Sequence, residues 1–105
     1  MIARFWSAQA TPAQAPAYAA HLRSHVLPNL SKVDGYAGVT LLERATPDAV
    51  EITVITWWRS LEAIRGFAGA DLEKAVVADE AAAVLTRFDH HVRHYEVTVK
   101  DGITF

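Results

Sequence analysis

Residues 50–67, VEITVITWWRSLEAIRGF, decide the fold of this chain of 105 residues. Val50, Ile52 and Val54 alternate with more polar positions, which is the period of two of a β-strand. The spacing becomes helical after Ser60, a residue type that caps helix N-termini well. A strand that runs almost directly into a helix, with two tryptophans at the junction, indicates a mixed α and β domain.

The elements on either side of this stretch follow from the same two periods. Thr11 and Gln14 fit a capping box, and Pro16 delays the regular helix to about Ala15, because a proline in the first turns removes a backbone bond. In chain order the patterns predict a strand at residues 2–9, a helix at 15–30, strands at 36–44 and 50–58, helical pieces at 60–67 and 72–87, and a last strand at 88–100.

The element order β-α-β-β-α-β predicts one ferredoxin-like α+β domain over residues 1–105, with a four-stranded antiparallel sheet and helices on one face. The second face of the sheet also carries apolar side chains, among them Ile55 and Trp57. A chain of this size buries only about two-thirds of its unfolded surface alone, so it gains much by covering that face with another copy. We therefore expect a homodimer in which two sheets pack into an α/β barrel.

The composition of the chain argues against several classes of function. The formal charge of −2 and the pI near 6.2 leave no basic surface for a phosphate backbone, so no nucleic acid partner is expected. The chain has no cysteine, which excludes disulfides and thiolate metal sites. It shows neither a signal-peptide pattern nor the ~20-residue apolar run of a membrane span, so we expect no membrane partner and a cytoplasmic location.

Three segments of the chain resemble the antibiotic-biosynthesis-monooxygenase-like family of the dimeric α/β-barrel superfamily. They are TWWRSLEAIRGFAG at residues 56–69, DLEKAVV at 71–77 and RFDHHVRHYEV at 87–97. The resemblance implies the fold described above. Relatives include oxygenases without a cofactor and haem-degrading enzymes, so the fold alone does not select a reaction.

The haem-degrading branch of this superfamily uses an asparagine on the first strand, a tryptophan near the start of the second helical region and a later histidine as iron ligand. The corresponding positions are Ser7, Phe67 and Val77. Valine has no atom that can ligate iron, so the resemblance does not extend to haem degradation by that mechanism. Haem binding without degradation would need a different axial ligand.

What the resemblance then implies is monooxygenation of a small aromatic or quinol-type substrate without metal or flavin. Oxygen reacts directly with such a molecule only after deprotonation makes it electron-rich, which requires a base, an apolar cavity and a donor to the developing oxyanion. His91 and His94 are the predicted catalytic residues. Strand alternation lets only one of them face the helices, and the more apolar face, with Tyr95 and Val97, favours His91.

The same alternation places the two adjacent tryptophans on opposite faces of the sheet. Trp58 is predicted on the helix side, because it belongs to the more apolar set of positions. The predicted ligand-binding residues are Trp58, Phe67, Tyr95, Phe5, Ser7 and Arg59. Either tryptophan also fits plain core packing, where an aromatic ring buries ~150–250 Å², and Arg59 also fits a surface position near Glu62.

His21 and His25 lie four residues apart on the first helix, a spacing that can hold a divalent metal. The pair flanks the apolar stripe that includes Leu22, and no HExxH-type glutamate accompanies it, so we predict no metal site and no cofactor. The alternative to an enzyme is a non-catalytic dimer that binds a small hydrophobic molecule or serves as a stress-related module. In that case, replacing His91 and His94 would leave function unaltered.

Overall fold

The sheet has five strands in the computed structural model of the protein, which describes residues 1–102. The strands are β1 (Ile2–Ala10), β2 (Tyr36–Ala45), β3 (Val50–Trp58), β4 (Arg87–Phe88) and β5 (Arg93–Glu96). β3 lies between β2 and β1, and both β4 and β5 pair with the other edge of β1, all antiparallel. This order confirms the ferredoxin-like α+β fold, with the predicted last strand in two short pieces.

Helices cover one face of the sheet. They are α1 (Ala15–His21), a π-helical turn (Leu22–Val26), α2 (Leu27–Leu30), α3 (Leu61–Ala68) and α4 (Asp79–Ala82). α1 begins at Ala15 as predicted, after a turn in which the Gln14 N–H donates to the Thr11 Oγ1 at 3.2 Å. The first three helical pieces follow each other without a break and form one layer over the sheet.

The wide π-helical turn in this layer has a local cause. Pro28 lacks an N–H, and its ring would clash with the carbonyl of Ser24 four residues earlier, so regular α-helical bonding cannot continue there. The Leu27 N–H instead donates to the Leu22 carbonyl oxygen, five residues back. Turns of this kind are frequent at functional sites.

α3 begins as the sequence predicts. The Ser60 Oγ accepts a hydrogen bond from the Ala63 N–H at 3.1 Å, which satisfies one of the free donors at the helix start. The inner side of the helix buries Ile64 completely. Gly35 lies against this helix with φ +90°, and a Cβ at that position would overlap the Cβ of Ala63. The close approach fixes α3 beside the turn that precedes β2.

The predicted helical piece over residues 72–87 is wrong, because only Asp79–Ala82 is helical within it. Residues 72–78 have no regular structure beyond one bridge, and their backbone bonds to the segment between β4 and β5 measure 2.7 and 2.9 Å. The guanidinium of Arg4 binds two further carbonyl groups of this segment. Long-range hydrogen bonds therefore override the helix propensity of an alanine-rich sequence.

The predicted last strand over residues 88–100 is also interrupted. Phe88 pairs with Ala8 and Arg93 pairs with Phe5, so the strand bulges away from β1 between these two contacts. Bulges re-aim the side chains that follow them. The predicted frayed or partner-bound tail at residues 101–105 lies mostly outside the described residues.

Two apolar clusters fill the space between the sheet and the helices. One contains Leu30, Trp58 and Ile64, all fully buried. The other contains Tyr18 and Ile52, together with small residues of β1. Residues of both clusters line one cavity.

Candidate functional site

A cavity of about 80 Å³ lies between the sheet and the helices. That volume is several times the roughly 10–15 Å³ that one ordered water needs. The walls are mostly apolar, with an aromatic part and an aliphatic part that include Trp6, Tyr18, Phe67, Leu30, Val54 and Val77. A concave, largely apolar space with few polar groups is the usual form of a small-molecule site.

The register of the strands decides which side chains of β1 reach this cavity. Arg4 lies opposite Thr56 and Trp6 lies opposite Val54, and all four side chains line the helix side. Trp6 is fixed in place by a hydrogen bond from its Nε1 to the Asp89 carbonyl oxygen at 2.8 Å. A guanidinium and an indole therefore stand next to each other in the same wall.

Tyr18 forms the helical side of the aromatic wall. Its ring lies 5.8 Å from the ring of Trp6 and 6.4 Å from that of His21. Burial raises the pKa of the Tyr18 hydroxyl to about 12. The hydroxyl is therefore neutral near pH 7 and acts there as a hydrogen-bonding group rather than as a base.

The permanently charged group of the cavity is the guanidinium of Arg4, a residue only 4% exposed. Its Nη1 donates to the Leu72 carbonyl oxygen at 2.6 Å, and its Nη2 donates to the Lys74 carbonyl oxygen at 2.9 Å. The Cζ lies 5.8 Å from the centre of the Phe67 ring, within the range of a cation–π contact. Burial lowers the pKa of Arg4 to about 10, which leaves it charged at neutral pH.

His94 supports this cation as a neutral partner. Its Nε2 lies 2.9 Å from the Arg4 Nη1. A guanidinium has only donors, so Nε2 must accept, and the proton of the neutral imidazole is assigned to Nδ1. Burial and then the charge of Arg4 lower the pKa of His94, against a smaller opposite effect of Glu73. The lone pair that a general base would use is therefore already bound.

The imidazole that lines the cavity belongs to His21, the last residue of α1. His21 also lines an adjoining groove of about 180 Å³, together with His25, Asn29 and Glu80. The rings of His21 and His25 lie 5.2 Å apart. Within the described part of the chain, no three histidine or acidic side chains gather closely enough to hold a metal ion. His21 is a candidate proton acceptor at the border between cavity and groove.

Among the predicted site residues, Phe67 lines the cavity and Trp58 lies behind it. The Trp58 ring is fully buried, stacks on Phe67 at a centroid distance of 5.7 Å, and donates from Nε1 to the Thr56 Oγ1 at 2.8 Å. The helix-side position of Trp58 is confirmed, and its surroundings are filled core. Its contribution to the site is to support the ring of Phe67.

Phe5, Ser7 and Tyr95 point to the opposite face of the sheet, so their predicted place beside the helix-side pocket is wrong. Phe5 and Tyr95 contact each other edge to face on that outer side, with centroids 5.1 Å apart. The reason is the period of two, because Arg4 and Trp6 occupy the inward positions of β1. Alternation by itself does not state which set of positions faces inward.

The remaining predicted residues also lie outside the cavity. His91 is exposed and its backbone bridges to Lys74, so the preference for His91 over His94 as the residue on the helix side is wrong. Arg59 is a surface residue that pairs with Asp34 at 3.1 Å. Neither side chain is part of the cavity wall.

The sequence prediction did not include the four wall residues that bring a cation, an imidazole or a further aromatic ring to the cavity, namely Arg4, Trp6, Tyr18 and His21. The sequence contains part of the information for Arg4 and Trp6. Side chains of β1 alternate between the two sheet faces in step with those of its antiparallel partner β3, which ends in Trp58. The missing information was the register between the two strands. His21 carried no such signal, because its contact with the cavity depends on how the first helix packs.

Two of the three positions that correspond to the haem-degrading pattern come together in the structure. Phe67 and Val77 line the cavity, whereas Ser7 faces the other side of the sheet. Val77, the residue matched to the iron ligand in the sequence, contributes an aliphatic side chain to the cavity wall.

An antiparallel sheet with helices on one face, and an aromatic-walled cavity between sheet and helices, define a ferredoxin-like α+β domain with a candidate small-molecule site. The family model for antibiotic biosynthesis monooxygenases matches residues 1–79. The chain therefore belongs to the antibiotic biosynthesis monooxygenase family. The matched residues contain β1 to β3 and α1 to α3, which supply most of the cavity wall.

Solved structures share this fold. A protein of the antibiotic biosynthesis monooxygenase type from Bacillus cereus has a TM-score of 0.63 at 14% identity, over 97% of each chain. The heme-degrader MhuD from Mycobacterium tuberculosis, with two hemes bound in its active site, has a TM-score of 0.62 at 22% identity, over 97% of this chain and 100% of its own. The ActVA-Orf6 monooxygenase of Streptomyces coelicolor, in complex with Nanaomycin D, has a TM-score of 0.58 at 19% identity, over 97% and 89%.

At these identities the likeness concerns the fold alone. No curated protein sequence matches the chain. Within residues 1–102, no helix has both the length and the apolar character needed to cross a bilayer.

Proposed function

We propose that this protein is a cofactor-independent monooxygenase that oxidises a small aromatic or quinol-type molecule in the cavity between sheet and helices. One observation carries the proposal: the aromatic wall of Trp6, Tyr18 and Phe67 stands beside one permanent cation, Arg4, and one imidazole, His21. Membership of the monooxygenase family supports the reaction class. The proposal needs neither metal nor flavin, because the substrate supplies the electrons.

The proposed reaction begins with a proton transfer. His21 accepts a proton from the substrate, which leaves an electron-rich anion in an apolar space. This anion reduces dioxygen, and one oxygen atom bonds to the substrate carbon. The carbon loses two hydrogen atoms as it becomes a carbonyl, and the second oxygen atom leaves with them as water. Four electrons pass from the substrate to oxygen, so no other reductant takes part.

The other side chains of the cavity bind and orient the substrate. The rings of Trp6, Tyr18 and Phe67 give a planar molecule large contact surfaces. The positive charge of Arg4 favours negative charge on the guest, because a buried cation acts strongly in a water-poor space. His94 contributes as a positioning residue that acts through Arg4.

Oxygen uptake with an anthrone-type substrate, in the presence of a chelator and without flavin, tests this function. We expect uptake by the protein well above the rate in buffer, and a loss of roughly 10²-fold in kcat for His21→Ala, the usual contribution of a general base. His25→Ala is the matched control, because His25 lies one turn away and lines only the outer groove. Uptake no faster than in buffer would leave a non-catalytic binding protein, and equal rates for the unchanged protein and His21→Ala would exclude His21 as the base.

We also propose that the protein works as a homodimer in the cytoplasm, with the outer sheet faces of two copies in contact. Leu42 and Tyr95 lie on that face and are each 48% exposed. Phe5 lies beside Tyr95 on this face and is half-buried, whereas Ile55 of the same face is already buried within the chain. Apolar area of this kind on a sheet face supports association with a second sheet.

A further inference from the structure

We propose that the cavity selects an aromatic carboxylate, whose carboxyl group pairs with Arg4. The inference rests on the function proposed above for the identity of the site, and it adds the charged group that the substrate carries. It concerns binding, so it can be tested with molecules that do not react with oxygen.

The first argument is the charge balance of the cavity. No aspartate, glutamate or lysine lines it, and Arg4 is its one permanently charged residue. None of the ion pairs formed within residues 1–102 includes Arg4. Buried charges in proteins are normally paired, because an isolated cation loses its hydration without compensation. A guest with one negative charge would complete the pair.

The second argument is the count of donors. A guanidinium has five N–H groups in a fixed planar arrangement. The hydrogen bonds seen within residues 1–102 use three of them, to the Leu72 and Lys74 carbonyl oxygens and to His94. The Nε–H and one Nη2–H remain. Two donors on one planar group match the two oxygens of a carboxylate.

The third argument is that the neighbours of Arg4 hold it without neutralising it. Two of its partners are backbone carbonyl groups and the third is a neutral imidazole. Burial lowers the pKa of Arg4, and the carboxylate of Glu73, which acts on His94, forms no ion pair with Arg4 within residues 1–102. The guanidinium is thus oriented in advance but still lacks a counter-charge, which favours binding of an anion at little reorganisation cost.

A carboxylate fits these conditions better than the other common anions. A phenol is neutral at pH 7 and would have to ionise in the cavity, whereas a carboxylic acid arrives already charged. A phosphate carries more charge than one guanidinium can balance, and it would need several donors in an otherwise apolar space. The aromatic wall of Trp6, Tyr18 and Phe67 requires that the remainder of the guest be a planar ring system.

Calorimetric titration with 2-naphthoate and 2-naphthamide tests the inference, because the two molecules differ in charge and hardly in shape. We expect naphthoate to bind the unchanged protein on the order of tenfold or more tightly than naphthamide, as for a charge-assisted hydrogen bond. Arg4→Met should abolish this difference while naphthamide binding stays. Arg23→Met is the matched control, because Arg23 is an exposed arginine outside the cavity.

Arg4 also holds residues 72–74, so circular dichroism must first show that Arg4→Met is folded. If it is not, NMR of the unchanged protein decides: the Arg4 Nε–H resonance should shift with naphthoate and not with naphthamide. Equal affinity for the two ligands, no binding of either, or a folded Arg4→Met that keeps the preference would each overturn the inference. Oxygen uptake plays no part in these measurements, so the monooxygenase proposal can fail separately.

Discussion

At the scale of single residues, Arg4 decides the character of the site. It lies on the inward face of β1, binds two carbonyl groups of a distant segment and fixes the tautomer of His94. The predicted role of His94 as a base changes accordingly. An imidazole whose Nε2 accepts from a guanidinium can orient that cation, but it cannot take a substrate proton with the same lone pair.

The bond between His94 and Arg4 predicts a loss of stability in mild acid. Folding lowers the pKa of His94. At pH values between the ordinary pKa near 6.5 and the lowered pKa, the unfolded chain therefore binds a proton that the folded chain does not bind. Stability is therefore complete above about pH 6.5 and falls as the pH drops through this window, by linkage. His94→Gln should show a shallower fall, because an amide oxygen accepts from Arg4 at any pH.

Urea unfolding of both proteins at several values between pH 5 and pH 8 measures this effect. At pH 8 the two midpoints should differ little, and the gap between the two pH profiles should open only on acidification. His90→Gln is a suitable control, because His90 lies four residues before His94 and is not among the hydrogen-bond partners of Arg4. If unfolding of the unchanged protein and of His94→Gln depended on pH in the same way, the hydrogen bond between His94 and Arg4 would not be the cause of the acid destabilisation.

At the scale of elements, local patterns were sufficient wherever the bonds are local. The Ser60 cap, the start of α1 at Ala15 and the hairpin between β2 and β3 are present as predicted. Residues 72–78 are the exception, because their carbonyl groups bind Arg4 and their backbone pairs with the segment before β5. These partners lie far away along the chain, and helix propensity depends only on residues close in sequence, so it could not predict them.

Gly66 within α3 and Gly35 beside it give opposite predictions for the same substitution. Gly66→Ala should stabilise the protein by about 0.5–1 kcal/mol, because alanine favours a helix interior and its Cβ would meet Val33 at an ordinary 3.5 Å. Gly35→Ala should destabilise it by roughly 1–3 kcal/mol, because φ is +90° and the new Cβ would overlap Ala63.

Chemical denaturation of the two variants measures both effects, and each serves as the control for the other. An unchanged or higher free energy of unfolding for Gly35→Ala would contradict the close approach of α3 to the turn before β2.

At the scale of the whole molecule, the sheet has one covered face and one face with large apolar side chains. The helix-covered face holds both core clusters and the cavity. The outer face carries Leu42, Tyr95 and Phe5, and it is the surface that the homodimer proposal uses. Association of the outer faces would leave the cavity on the helix side undisturbed.

Sedimentation equilibrium should therefore give twice the chain mass of 11.5 kDa. Leu42→Glu places a charge on the outer sheet face and should shift the protein toward monomer, because burying an unpaired carboxylate is costly. Leu61→Glu is the matched control, since Leu61 is 45% exposed but lies at the start of α3 on the other side. A single-chain mass for the unchanged protein at micromolar concentration would exclude this dimer.

The sequence by itself determined the element order, the Ser60 cap and the two-faced sheet, because these depend on neighbouring residues and on periods of two and 3.6. It also placed Trp58 on the inner face, from the apolar character of its own strand. Only the tertiary structure decided that Arg4 and Trp6, rather than Phe5 and Ser7, face the cavity, and that His94 rather than His91 touches the charged group. Register between distant strands and the bulge before β5 set these contacts, and both arise from pairings that no local pattern encodes.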